Sequence, residues 1–528
     1  MCTGPRHNEV RWKSEPGLGL VGRAVNLAQI IDEHDESSVA LICQGQTTTY
    51  GDLRDEVERF RGGLASIGVS DGDHIGMLLG NTRHFVVCYL ATLGLGAVAV
   101  PLNPTSPAPE IERELATVEA KVAVIGEASA DCWAGVDREA IPSVATVVSA
   151  VANDAGLAGS LSFDDLCESD PLKSIEVEPD HLAVLIFTSG TAGAPRAAML
   201  THGNLLANIR QNSTADGHLN SDDVVYGVLP LFHIFGLNVV IGLGLSVGAT
   251  VLLVQRFDPA TAVQSVVDRG VTVIPGAPAM WNAFAHFDEI DDDVFATVRL
   301  ALSGASRLSV NVAEKMLDRF GIELREGYGL TETAPVVSTS TGITPRFGSV
   351  GRVVAGVEVR LVNDNGDALV GDVGEIWVRG DNVFVGYLND PDATAAVFAD
   401  DGWLMTGDMA TSDDDGYLYL VDRAKDLIIV SGFNVYPAEV EEMLATHPLV
   451  EEVAVIGVAH PHTGEAVKAF VVAVEDANLN EETLIEHSLD HLARYKCPTK
   501  IIFVDELPRN ASGKIVRRVL DDALRSGI

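Results

Sequence analysis

At 528 residues the chain can bury more than one large core, and 47% hydrophobic with 21% charged residues is the balance of a folded globular protein rather than a disordered one. A formal net charge of −39 argues against nucleic acid and anionic membranes as partners, so a phosphate-bearing ligand must be met by locally concentrated positive charge. Six scattered cysteines with no CxxC pair fit a reducing compartment, and the polar stretch Met1–Lys13 has no apolar signal region, so a cytoplasmic protein is expected.

Near the N-terminus, Gly17-Leu18-Gly19-Leu20-Val21-Gly22 has dinucleotide-fingerprint spacing but follows polar residues instead of a strand, which makes it a weak match. Residues Phe85–Leu102 and Phe235–Val254 approach membrane-spanning length. Glycines interrupt both, and each reads as a buried helix followed by a short strand, Ala97–Leu102 and Ala249–Val254; no transmembrane segment is expected.

The most informative stretch is Thr188-Ser189-Gly190-Thr191-Ala192-Gly193-Ala194-Pro195-Arg196. The apolar run Leu182–Phe187 before it predicts a buried strand, and Thr201 is placed to cap a helix through Leu205, Leu206 and Ile209. A hydroxyl- and glycine-rich loop between strand and helix turns backbone N–H groups toward phosphate oxygens, and Arg196 adds a fixed positive charge. The run lacks the Gly-Lys-Ser/Thr ending of a Walker loop.

Further on, strand-like segments repeatedly meet glycine loops: Val271–Ile274 before Pro275-Gly276, Val298–Leu302 before Ser303-Gly304-Ala305, and Ile322–Arg325 before Gly327-Tyr328-Gly329. In open α/β sheets ligands sit at the carboxyl ends of strands, so these loops are expected to converge on one cleft. Within Gly327-Tyr328-Gly329-Leu330-Thr331-Glu332-Thr333, the glycines admit a flat base beside Tyr328, Thr331 can bond phosphate and Glu332 can hold magnesium. From Val357 to Gly386 the pattern alternates like hairpins, with Asn365-Gly366 as a turn.

A domain boundary is expected near Asp422, followed by a small α+β unit with strands Val453–Val458 and Ala469–Val474. Lysine is scarce, with nine in the chain and five of them after residue 422. One is Lys514, in Ser512-Gly513-Lys514, where a lysine on a small-residue loop is a mobile point charge able to follow changing phosphate oxygens.

These motifs, in this order from about residue 50 to 518, resemble the adenylate-forming superfamily: acyl-CoA synthetases, coumarate-CoA ligases, luciferases and peptide-synthetase adenylation domains. The resemblance implies an α/β fold, with a large N-terminal adenylation domain (1–421) that includes a β-rich subdomain, and a small mobile C-terminal α+β domain (422–528). It also implies an enzyme that uses ATP, Mg²⁺ and coenzyme A to convert a carboxylic acid first to an acyl-adenylate and then to an acyl-CoA.

By the same resemblance, Thr188, Ser189, Gly190, Thr191, Gly193 and Arg196 hold phosphate. Gly304, Ala305, Gly327, Tyr328, Gly329 and Thr331 frame the nucleotide, Glu332 ligates the metal, and Asp408 and Arg423 bond the ribose. Lys425 is the hinge, Gly432 and Phe433 line the thiol tunnel, and Lys514 is the catalytic lysine. Pro230-Leu231-Phe232-His233-Ile234-Phe235-Gly236 resembles the segment beside the acyl pocket, with His233 orienting the carboxylate.

The pocket candidates His233, Ile234, Phe235, Gly304, Pro335 and Val336 are apolar apart from His233 and offer no cation for a second carboxylate. A fatty or other hydrophobic acid is therefore expected. The absence of an aspartate between Pro230 and Asn238 counts against an amino-acid substrate.

The chain departs from the family's Pro-Lys-Gly with Pro195-Arg196-Ala197, where the Ala197 methyl could crowd the phosphate loop, and has Ile429 where a lysine is common. Alternatives are an acyl-AMP ligase that loads an acyl carrier protein, a luciferase-like oxidase, and a nucleotide-binding homologue with impaired turnover. His460, His462 and Glu465 resemble an ordinary connection between strands, and no metal is expected there.

Overall fold

The structure, a computed structural model, describes residues 12–13 and 26–520 apart from 152–156, 158, 189–194, 214–216, 288–289, 364–367, 370–371, 424–427, 431–432, 461–463, 475–478, 493, 511–513 and 518. Short apolar runs form the central strands of two large sheets. In the first, Leu182–Thr188, Val98–Pro101, His74–Leu78, Val122–Ile125 and Thr146–Ser149 are parallel neighbours in that order. In the second, Leu324–Gly329, Leu300–Ser303, Val273–Gly276, Val224–Gly227, Thr250–Leu253 and Val39–Cys43 are likewise parallel.

Parallel strands need long crossovers, which helices supply. The helix Arg83–Gly94 is apolar nearly all round because it has no wet face: Phe85 through Leu93 are fully buried, in a core shared with residues of both sheets. Its extent, with the strand Val98–Pro101 after it, matches the sequence reading. Residues Phe235–Leu243 wind as a π-helix before the strand Thr250–Leu253, a detail that hydropathy does not encode. Among the described residues, no helix is long and apolar enough to cross a membrane.

An antiparallel sheet follows, built from Val357–Val362, Gly374–Gly380, Leu404–Ser412 and Leu418–Arg423. The expected Asn365-Gly366 turn lies outside the described residues. Leu418–Arg423, which contains residue 422, is this sheet's last strand, and Ile428–Val430 is the first of another sheet with Val450–His460, Gly464–Ala473 and Lys500–Phe503. That sheet has its own core of Val440, Leu444, Val455, Val471, Leu484 and Ile501.

Two local expectations shift. The phosphate loop does not open directly into a helix: Arg196–Thr201 first returns as a strand antiparallel to Leu182–Thr188, and the helix His202–Ser213 begins after it. Thr201 does cap that helix, its Oγ1 accepting from the Asn204 N–H at 3.1 Å. Gly327-Tyr328-Gly329 lies within a strand rather than after one, because the chain goes on pairing with the antiparallel Val336–Thr339 beyond its parallel neighbour.

Candidate active site

The strand Leu324–Gly329 brings two distant motifs together. The Tyr328 hydroxyl donates to Asp408 Oδ2 at 2.7 Å, and Asp408 lies directly opposite Arg423 in the pairing of Leu404–Ser412 with Leu418–Arg423. Asp408 is therefore buried yet bonded, held also by its own N–H on Thr406 Oγ1. It sits in a strand, next to Gly407, which takes a φ of 72°. Gly329 is obligatory: a Cβ there would fall 1.9 Å from the Pro335 carbonyl oxygen.

Glu332 follows on a single 3₁₀ turn, Thr331–Thr333. The Phe384 N–H donates to the Glu332 carbonyl and Asn382 Nδ2 to that of Thr333, which pins the turn. The Tyr387 hydroxyl donates to Glu332 Oε1 at 2.7 Å, and burial followed by the Glu332 charge pushes the Tyr387 pKa up, so it remains a donor. Oε2 keeps its acceptor capacity. Among the described residues, no group of three or more His, Cys, Asp or Glu could hold a metal by itself. One fixed carboxylate beside the Thr331 hydroxyl suits Mg²⁺, which is commonly held by one or two carboxylates together with substrate phosphates.

Arg196 connects to the same cluster. Its Nε donates to Asp390 Oδ2 at 2.9 Å, and its guanidinium carbon lies 5.8 Å from the Tyr387 ring centroid. The N–H of Ala393, at the start of the next helix, and the Arg196 guanidinium hold Asp390 below the usual carboxylate range. Ala197 lies opposite Phe187 in the strand pair, 2% exposed, with its methyl in the core.

A cavity of about 210 Å³ lies against the second sheet, with Thr331 among its lining residues. All six pocket candidates, His233, Ile234, Phe235, Gly304, Pro335 and Val336, line it, and so do Ala305, Gly327, Tyr328, Gly329 and Thr331. Gly304 packs under the Phe235 ring, and a Cβ there would come within 2.9 Å and force the ring to shift. Ala305 is held at a φ of 70°, a left-handed conformation that costs a non-glycine residue about 1–2 kcal/mol. His233 Nε2 is buried without a hydrogen-bond partner among the described residues, and burial pushes the ring's pKa down to about 4. The imidazole is thus neutral at pH 7, beside a space that a ligand can fill.

The expectation of a pocket without a cation needs correction, because Arg325 also lines the cavity. So do His218, Thr339 and Thr341, and none of the four was singled out from sequence. A period-2 reading of Arg325-Glu326-Gly327-Tyr328-Gly329 would have put Arg325 on the face shared by the two glycines. Lys514 is not among the cavity-lining residues; its N–H donates to Asn510 Oδ1 at 2.9 Å. Thr188 ends its strand, whereas Ser189, Gly190, Thr191, Gly193, Lys425 and Gly432, and the side chains of Arg423 and Phe433, lie outside the described set.

Residues 29–388 match the model of the AMP-binding enzyme family, and 439–514 match its C-terminal domain. The chain is 34% identical to 4-coumarate–CoA ligase 5 of Oryza sativa subsp. japonica, over 95% of this chain and 94% of that one. Among solved structures it resembles ATP-bound MatB from Rhodopseudomonas palustris, with a TM-score of 0.88, 31% identity, and 95% and 99% of the two chains covered. It also resembles the anthranilate CoA ligase AuaEII in complex with anthranoyl-AMP, with a TM-score of 0.86, 26% identity, and 95% and 98% covered. The chain therefore belongs to the AMP-binding enzyme family, within the adenylate-forming superfamily, as an AMP-forming acid–CoA ligase that uses ATP, Mg²⁺ and coenzyme A.

Proposed function

We propose that this ligase activates an aromatic or other hydrophobic carboxylic acid, bound in the cavity with its carboxylate at the Gly304–Thr331 end. The observation that carries this reading is the cavity itself: apolar walls lead to an end where the unpaired His233 Nε2 lies close to the nucleotide motifs. The names of two relatives, which act on 4-coumarate and anthranilate, favour an aromatic acid over a fatty one.

In this reading Arg196 and the phosphate loop hold the triphosphate, Tyr328 and Asp408 place the adenosine, and Glu332 holds Mg²⁺, which neutralises phosphate charge when bound. The acid's carboxylate oxygen attacks the α-phosphorus, and pyrophosphate leaves. His233 acts as a neutral hydrogen-bond partner that orients the acid. Lys514 neutralises developing charge during the attack. In this reading 422–528 moves as a unit about Lys425, first bringing Lys514 in and then exchanging it for Gly432 and Phe433. The coenzyme A thiol then attacks the acyl carbon and AMP departs.

The test is acid-dependent pyrophosphate release from ATP across aromatic and aliphatic acids, with and without coenzyme A. Faster turnover with coenzyme A and a preference for aromatic acids support the proposal. Preference for long aliphatic acids replaces the aromatic class by the fatty one, and release indifferent to coenzyme A points to a carrier-protein acceptor.

A further inference from the structure

The cavity's floor has an unusual gradient. On one face of the strand Leu324–Gly329 the residues are Gly329, Gly327 and then Arg325, so the groove has no side chain on that row until the guanidinium. At about 3.3 Å per residue, Arg325 lies about 13 Å from Gly329 along the strand. The neighbouring strand contributes Gly304, Leu302 and Leu300 to the cavity, with Leu302 paired to Arg325. Across the other edge, Thr339 pairs with Gly327, and continuing that register puts Thr341 opposite Arg325. The acyl path therefore starts bare, passes leucines, and ends on polar side chains.

That end is built rather than incidental. Arg325 donates to the Ile343 carbonyl at 2.5 Å and to Glu323 at 2.6 Å, which fixes its direction and leaves others of its five N–H donors over. Glu323 is the more exposed partner, at 47% against 24% for Arg325, so solvent weakens that pairing. Thr341 is buried, and its hydroxyl lies 3.0 Å from that of Thr339. His218 also faces this end, on a loop whose carbonyls accept from Arg299: Gly217 at 3.2 Å and His218 at 2.8 Å.

We propose that Arg325, with Thr339, Thr341 and His218, forms a distal recognition site for an oxygen function carried by the acid at the end opposite its reacting carboxylate. This inference rests on the acid lying in the cavity as proposed above. The preferred acids have an apolar middle and a terminal hydrogen-bond acceptor, either a hydroxyl or carbonyl oxygen or a second carboxylate. Arg325 sets both the depth of the pocket and this preference. An acid ending in methyl at that depth would cover the guanidinium's remaining donors without replacing the water on them, which is where discrimination arises.

The experiment compares straight-chain acids of graded length that end in methyl, hydroxyl or carboxylate, measuring kcat and KM for pyrophosphate release. At the length that reaches Arg325, the oxygen-ended acid should exceed its methyl partner in kcat/KM by about tenfold, chiefly through KM. Whether hydroxyl or carboxylate gains more decides between a neutral and an anionic end. Arg325→Met keeps the bulk and removes the donors; it should erase the preference, chiefly by raising kcat/KM for the methyl-ended acid. Arg325→Lys should restore part of the preference, and Thr341→Val should reduce it. A wild-type enzyme that favours methyl ends at every length overturns the distal site, as does an Arg325→Met enzyme that slows all acids equally. Absence of release with all of these acids and with the aromatic acids above would sink the adenylation reading and the distal site together.

Discussion

The Tyr328 hydroxyl and the Asp408 carboxylate, eighty positions apart, share a 2.7 Å hydrogen bond. A residue expected beside the adenine thereby fixes one expected on the ribose, and Asp408 enters the binding reaction already oriented. Asp408→Asn should raise the ATP KM by roughly tenfold or more, since a hydrogen bond to a charged group is worth about 1.5–3 kcal/mol. Tyr328→Phe, which removes only the neutral donor, should raise it less. Equal acid KM values in both variants would confirm that the effect is confined to the nucleotide.

Tyr387 stands behind Glu332 in a comparable way, with its hydroxyl 2.7 Å from Oε1. Glu332→Gln should raise the Mg²⁺ concentration needed for half-maximal pyrophosphate release by an order of magnitude, and Tyr387→Phe by a smaller factor of about two to ten, the worth of one hydrogen bond. Calorimetric titration of nucleotide with and without Mg²⁺ checks the same point apart from turnover. A Tyr387→Phe enzyme with unchanged Mg²⁺ dependence would reduce that hydroxyl to a packing role.

Gly304 gives a steric prediction. A methyl group there would meet the Phe235 ring, which lines the cavity, at 2.9 Å. Gly304→Ala should therefore lower kcat/KM most for the bulkiest acids and least for small ones, with the ATP KM nearly constant. Kinetics across acids of increasing size would test this ordering.

His233 gives a pH prediction with a definite sign. Burial lowers its pKa to about 4 from the ordinary 6.5, so the fold favours the neutral ring. The stability this contributes is fully present above about pH 6.5 and is lost as pH falls toward 4. Pyrophosphate release should show no inflection near pH 6.5 that vanishes in His233→Gln. An NMR titration of the ring Cε1–H that reported protonation near pH 6.5 would contradict the buried, neutral assignment.

Lys514 separates the two chemical steps. Lys514→Ala should reduce adenylation by at least a hundredfold, a typical cost of removing one group that stabilises transition-state charge. Supplied acyl-adenylate should still be converted to thioester at close to the normal rate. Loss of both half-reactions would argue against alternation of the two parts of the chain about Lys425.

What could be read from sequence was whatever depends on local pattern. Glycine and hydroxyl spacing marked the phosphate loop, and hydropathy placed the strand Leu182–Thr188 to within a residue and the helix Arg83–Gly94 to within two at either end. These signals survive because each reports a backbone constraint carried by a few adjacent residues. The strand Arg196–Thr201 escaped notice because its existence depends on pairing with Leu182–Thr188, not on its own propensity.

Family, motif order and the kinds of group available were already legible along the chain: hydroxyls and an arginine for phosphate, carboxylates for ribose and metal, a late lysine for the chemistry. Which of these groups meet came from the fold. It set Tyr328 on Asp408, Tyr387 on Glu332 and Arg196 on Asp390, and it put Arg325 at the end of a groove that two glycines leave bare. Local order needs only neighbours in the chain, whereas a binding pocket is the space left between strands whose register is fixed by partners beyond any local window, as Leu302 pairs with Arg325 and Gly327 with Thr339.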